Sequence, residues 1–195
     1  MEDLVADLPF PDWAKDAVLR APYVVVRRAG SYSGLVPVGL RGEQRGQRMS
    51  YWLPENLIEE VITPYALTDK DNWKAVYPAA VPETVNTLGL ISSILHQTGY
   101  QWGPTGSTGF ELATGLPTIK ESSDLDLVIE VPGILNVETA KILLDRMEDI
   151  STVRLDIQIS TVKGGFSLKE YTNSPTVLVK TSLGPLLMDH TTLWG

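Results

Sequence analysis

The sequence predicts a two-domain protein of the α+β or α/β class, with a small β-rich N-terminal domain over residues 1–80 and a larger domain over 81–195. Three observations lead there. The first half carries strand-like apolar runs, "YVVVRR", "GLVPVGLR" and "RMSYWL", punctuated by Gly30, Gly34, Gly42 and Gly46. From about Val81 the apolar spacing changes to the three- and four-residue steps of helices. Between those helices stand two short runs, "DLDLVIEV" and "VRLDIQIS", that alternate in the two-residue period of strands.

The N-terminal domain opens with a short helix, "DWAKDAVLR", for which Asp12 is the expected cap. A segment rich in Pro, Tyr and Trp leads into the second domain. There "PETVNTLGLISSILHQTG" places Val85, Leu88, Ile91 and Leu95 on one helical face, and Gly99 ends it. Thr108 and Glu111 have capping-box spacing, so a short helix is expected from Thr108 to a stop at Gly115 and Pro117. In "NVETAKILLDRMEDI", Asn136 is the N-cap, with Ala140, Leu143, Leu144 and Met147 inward. "TVLVKTSLGP" is read as one final strand.

Composition excludes several function classes. The chain of 195 residues is 43% hydrophobic and 21% charged, as an ordinary globular protein is. No apolar run approaches the ~18 residues that span a bilayer. The absence of cysteine and of a basic leader fits the cytoplasm. A net charge of −8 argues against a nucleic-acid binder that works by phosphate neutralisation. Yet Arg27, Arg28, Arg41, Arg45 and Arg48 stand together against one acid, Glu43. Such a patch either serves one small polyanion or is a solvated loop.

The chemistry concentrates in "GSTGFELATGLPTIKESSDLDLVIE". Side chains two apart on a strand share a face, about 6–7 Å apart. Asp124 and Asp126 therefore project together, while Leu125, Leu127 and Ile129 enter the core. Two carboxylates this close repel unless a cation lies between them, and oxygen ligands on a rigid strand suit Mg²⁺ or Mn²⁺. Asp156, on the polar face of the other strand, is the third candidate. Upstream, Gly106 and Ser107 at a helix start offer backbone N–H groups and a positive dipole end to a phosphate. The competing reading leaves both aspartates solvated at the end of a loop.

At these residues the sequence resembles the nucleotidyltransferase superfamily typified by DNA polymerase β. It is most similar to the phosphoribosyl-dephospho-CoA transferase family, the holo-acyl-carrier-protein synthases of malonate decarboxylase. The likeness rests on "GLVPVGLRGEQRGQRMSYWLPE", on "WGPTGSTGFELATGLPTIKESSDLDLVIE" and on "RLDIQI". The spacer from Ser107 to Asp124 is longer than is usual in the superfamily.

The resemblance implies a nucleotidyltransferase-like domain, a mixed sheet flanked by helices. It also implies transfer of phosphoribosyl-dephospho-CoA from triphosphoribosyl-dephospho-CoA to a serine of the apo acyl-carrier subunit, with release of diphosphate. Asp124 and Asp126 would hold metal, and Gly106 and Ser107 phosphate. Asp156 would be a metal ligand or the base that takes the serine proton. Arg41, Arg45, Arg48 and Lys120 are candidates for the substrate's phosphates. Two other readings stay open: a transferase that adenylylates another small molecule or protein, and a non-catalytic nucleotide-binding protein of the same fold.

Overall fold

The structure, a computed structural model, describes the chain apart from residues 1–9, 31, 43, 45, 70–72, 74, 78 and 195. It divides into two compact units, Met1–Val61 with Thr181–Gly184, and Ile62–Lys180 with Pro185–Gly195. The sequence pattern divides the domains at residue 80. The compact units part at Val61, and Trp73 is buried in the core of the second unit.

The first unit packs helix α1 (Asp12–Arg20) on an antiparallel sheet, β1 (Val25–Val26), β2 (Leu35–Arg41) and β3 (Arg48–Pro54), in that order. Ala14, Val38, Leu40 and Tyr51 form its core. Strand pairing sets Val38 opposite Tyr51 and Leu40 opposite Met49, so these residues share the face that meets α1. The other face carries Gly39 opposite Ser50 and Arg41 opposite Arg48. Two expectations change here. Asp12 is the first residue of α1 and not its cap; Pro11 takes the cap position and Asp12 pairs with Lys15 at 3.5 Å. "YVVVRR" contributes only a two-residue strand.

The second unit is a six-stranded mixed sheet in the order β4 to β9. It comprises β4 (Gln101–Pro104), β5 (Leu125–Glu130), β6 (Leu155–Thr161), β7 (Gly164–Ser167), β8 (Thr176–Thr181) and β9 (Gly184–Asp189). Only β5 and β6 are parallel among the pairs whose register is resolved. Their connection is α4 (Val137–Glu148), as a parallel crossover requires. The Asn136 side chain accepts from the Glu138 N–H at 2.8 Å, and Ala140, Leu143, Leu144 and Met147 are buried. Helix α2 (Glu83–Gln97) buries Val85, Leu88, Ile91 and Leu95 in the same core, and Gly99 follows it at φ +70°. Two further short helices of the unit are α5 (Leu168–Asn173) and α6 (His190–Leu193).

"TVLVKTSLGP" is not one strand. The chain reverses between Thr181 and Gly184, where Gly184 has φ +122° and its carbonyl accepts from the Thr181 hydroxyl at 2.7 Å. The run therefore splits into β8 and β9. Among the described residues no helix is long and apolar enough to cross a membrane.

Candidate active site

The site lies where β4 turns into helix α3 (Gly106–Thr114) against the start of β5. The Thr105 N–H donates to the Asp126 carbonyl at 2.9 Å, which ties the turn to the strand. Gly106 follows at φ +58°, a conformation open to glycine at little cost. A Cβ added there would stand 1.9 Å from Asp126 Oδ2, so the carboxylate lies directly on the Gly106 backbone. Gly109 is needed for the same reason, since its Cβ would meet the Pro104 carbonyl oxygen at 2.5 Å. Gly106 lets the helix N-terminus close onto β5, which bears Asp126, and Gly109 lets the helix pack on the end of β4.

Leu125, Leu127 and Ile129 are buried, and Asp126 between them is half-buried on the other face. Parallel pairing sets Asp126 directly opposite Asp156. Neighbouring strands are about 4.8 Å apart, so the two carboxylates share one patch of sheet. Asp156 is exposed. Asp124 immediately precedes β5, and its Oδ2 is 3.5 Å from Arg154 Nη1, while the Leu125 N–H donates to the Arg154 carbonyl at 2.9 Å. Arg154 thus stands beside Asp124. Among the described residues no three His, Asp or Glu side chains form a group able to hold a metal ion. Asp126 and Asp156 still offer an all-oxygen donor pair, which suits a hard divalent cation that completes its shell with phosphate and water.

Ser107 is buried in the first turn of α3, and Thr108 beside it is fully buried with a hydroxyl that finds no hydrogen-bond partner among the described residues. The expected capping box does not form, because the helix begins at Gly106, two residues before Thr108. Glu111 instead turns away from the helix start. Its Oε2 accepts from the N–H groups of Thr118 and Ile119 at 2.6 and 2.7 Å. The Thr118 hydroxyl donates to the Ser107 carbonyl at 3.0 Å. Further along, Lys120 and Ser123 close a turn in which the Lys120 N–H donates to Ser123 Oγ and the Ser123 N–H to the Lys120 carbonyl, both at 2.9 Å. The loop that delivers Asp124 is thus held to α3 at one end and locked at the other. Burial, and then the charge of Glu111, push the Tyr77 phenol up, so it stays neutral beside the latch.

Asp124, Asp126, Asp156, Gly106, Ser107 and Lys120 all belong to the second unit. Arg41 and Arg48 belong to the first, where they are exposed and opposed across β2 and β3; Arg45 lies outside the described residues. Sequence reading missed Glu111, Thr118 and Arg154 as parts of the site. Only the helical spacing of Ser107 and Glu111, which puts them on one face, hinted at the first of these.

Comparison with known proteins decides the family. Residues 72–191 match the model for the phosphoribosyl-dephospho-CoA transferase MdcG C-terminal domain, and residues 2–64 match the model for its N-terminal domain. The chain belongs to the phosphoribosyl-dephospho-CoA transferase family. Similar members include the phosphoribosyl-dephospho-CoA transferase of Pseudomonas putida strain W619, 36% identical over 91% of this chain and 84% of that protein. That of Azotobacter vinelandii is 34% identical over 93% and 85%, and that of Klebsiella pneumoniae strain 342 is 34% identical over 90% and 83%. No solved structure matches the chain. The chain spans both family domains, and every described candidate residue of its second unit falls within 72–191.

Proposed function

We propose that the protein transfers the phosphoribosyl-dephospho-CoA group of triphosphoribosyl-dephospho-CoA to a serine hydroxyl on the apo acyl-carrier subunit of malonate decarboxylase. The observation that supports it most is the pairing of Asp126 with Asp156 beside the Gly106 turn. That arrangement joins an anion-attracting helix start to two carboxylates, as displacement at a phosphate needs.

In the proposed step the serine oxygen bonds to the phosphorus next to the ribose, and the bond from that phosphorus to the bridging oxygen breaks. The electron pair of that bond leaves on diphosphate. Asp156, exposed at the strand surface, takes the serine proton. The first N–H groups of α3, at Gly106 and Ser107, hold and orient the phosphates, and Lys120 meets charge on the departing diphosphate. A magnesium or manganese ion held by Asp126, with Asp124 released from Arg154, would supply charge neutralisation.

The test is mass spectrometry of the purified apo carrier after incubation with this protein, triphosphoribosyl-dephospho-CoA and Mg²⁺. A carrier mass increased by the phosphoribosyl-dephospho-CoA group is expected, with one diphosphate released per transfer. An unchanged carrier, or equal transfer from ATP, would overturn the assignment.

A further inference from the structure

The sheet of the first unit has one face turned to α1 and one turned away from it. The outer face gathers cations in a chain whose net charge is −8. Arg41 and Arg48 are directly opposed there, and both are exposed. Arg27 follows β1 and donates its N–H to the Pro37 carbonyl at 2.8 Å. Its side chain crosses the same face, with Cδ 3.3 Å from where a Cβ on Gly39 would stand. Gly39 and Arg41 are two residues apart, so the cations extend about 6–7 Å along the strand. No ion pair among the described residues engages Arg27, Arg41 or Arg48.

Like charges directly opposite on a sheet destabilise it, and among the described residues no acid forms an ion pair with these arginines. Beside the arginines stand Val25 and Tyr32, both exposed, with Tyr32 edge-on to Trp52 at 4.6 Å. Exposed arginine with tyrosine and tryptophan is the composition of a protein interface. The cations also lie in a row on an open strand face, whereas phosphate binding calls for donors that converge on one point.

We propose that this face docks an acidic protein surface, and that on the function proposed above its partner is the carrier subunit that receives the group. Arg41 and Arg48 then act on the protein substrate and not on the phosphates of the small one. Charge complementarity of this kind mainly accelerates encounter, so it acts through the KM for the protein partner and weakens with salt.

The experiment compares wild type with Arg41→Glu/Arg48→Glu, and with Arg41→Ser as a milder change, after circular dichroism has established that each is folded. KM is measured separately for the apo carrier and for triphosphoribosyl-dephospho-CoA. The double variant is expected to raise the carrier KM by about tenfold or more at low salt. Its KM for the small substrate should stay within about twofold of wild type, and added salt should raise the wild-type carrier KM. A rise confined to the small-substrate KM would assign the arginines to phosphate and overturn the docking proposal, as would an unchanged carrier KM. A wild-type protein that leaves the carrier unmodified overturns the proposed function, and this docking with it.

Discussion

Gly106 and Asp126 occupy adjoining space: a single methyl group at position 106 would stand 1.9 Å from the Asp126 carboxylate. The left-handed backbone at Gly106 adds a second reason for glycine. Gly106→Ala should lower stability by about 1–3 kcal/mol, from backbone strain and the displaced carboxylate. It should also abolish transfer. Gly99 is the internal control, since it shares the positive φ but has open space where its Cβ would go. Gly99→Ala should cost about 1 kcal/mol and leave transfer intact. Urea midpoints and initial rates on the two variants separate strain from site damage; equal activity in both would refute the packing argument.

Asp156→Asn should lower the transfer rate by about 10²–10⁴-fold while the protein stays folded, the range expected when a proton acceptor is lost. Asp126→Asn should also lower it, through loss of a carboxylate proposed to hold metal. Removing divalent cations with a chelator should have a comparable effect, reversed by added Mg²⁺. Asp124→Asn bears on stability through Arg154. That pair is exposed, with side-chain accessibilities of 39% and 78% for Asp124 and Arg154 in turn, so its loss should cost under ~1 kcal/mol. Rates measured beside thermal unfolding decide whether catalysis and stability part in this way.

Glu111 is the buried acceptor for two backbone N–H groups of the loop before Asp124. Glu111→Ala leaves both donors without a partner and should cost about 1.5–3 kcal/mol. Glu111→Gln keeps an accepting oxygen and should recover most of that. Hydrogen exchange at Thr118 and Ile119 gives a local readout: both amides should exchange faster in the alanine variant, and protection as in wild type would show that another group holds the loop.

The Tyr65 phenol is pushed up to about 12, first by burial and then by Glu130. The folded protein therefore holds the proton more tightly than the unfolded chain, whose tyrosine titrates near 10. The stability this contributes is complete below pH 10 and is lost as pH rises from there toward 12. Tyr65→Phe should flatten the alkaline arm of the stability profile in that window and leave neutral pH unaffected by this term. Denaturant unfolding at stepped pH, with phenolate absorbance followed in parallel, checks the sign.

The sequence by itself determined what local periodicity can decide. Alternation in "DLDLVIEV" and "VRLDIQIS" is enough to send Leu127, Ile129, Ile157 and Ile159 inward and Asp126 and Asp156 outward, since a strand has only two faces. Asn136 and Gly115 mark helix ends because their caps form within a few residues. The tertiary structure alone decided the rest. That Asp126 meets Asp156, and no other residue of β6, depends on a parallel register set through the α4 crossover. Glu111 has capping-box spacing, but its carboxylate found stronger donors in Thr118 and Ile119 once the loop folded back. The break between β8 and β9 follows from a glycine whose positive φ leaves no mark in apolar periodicity. Trp73 joins the core of the second unit, and Arg41 meets Arg48 across a hairpin, through contacts that residue spacing does not encode. Faces are set by neighbours in sequence, whereas partners are set by which surfaces pack.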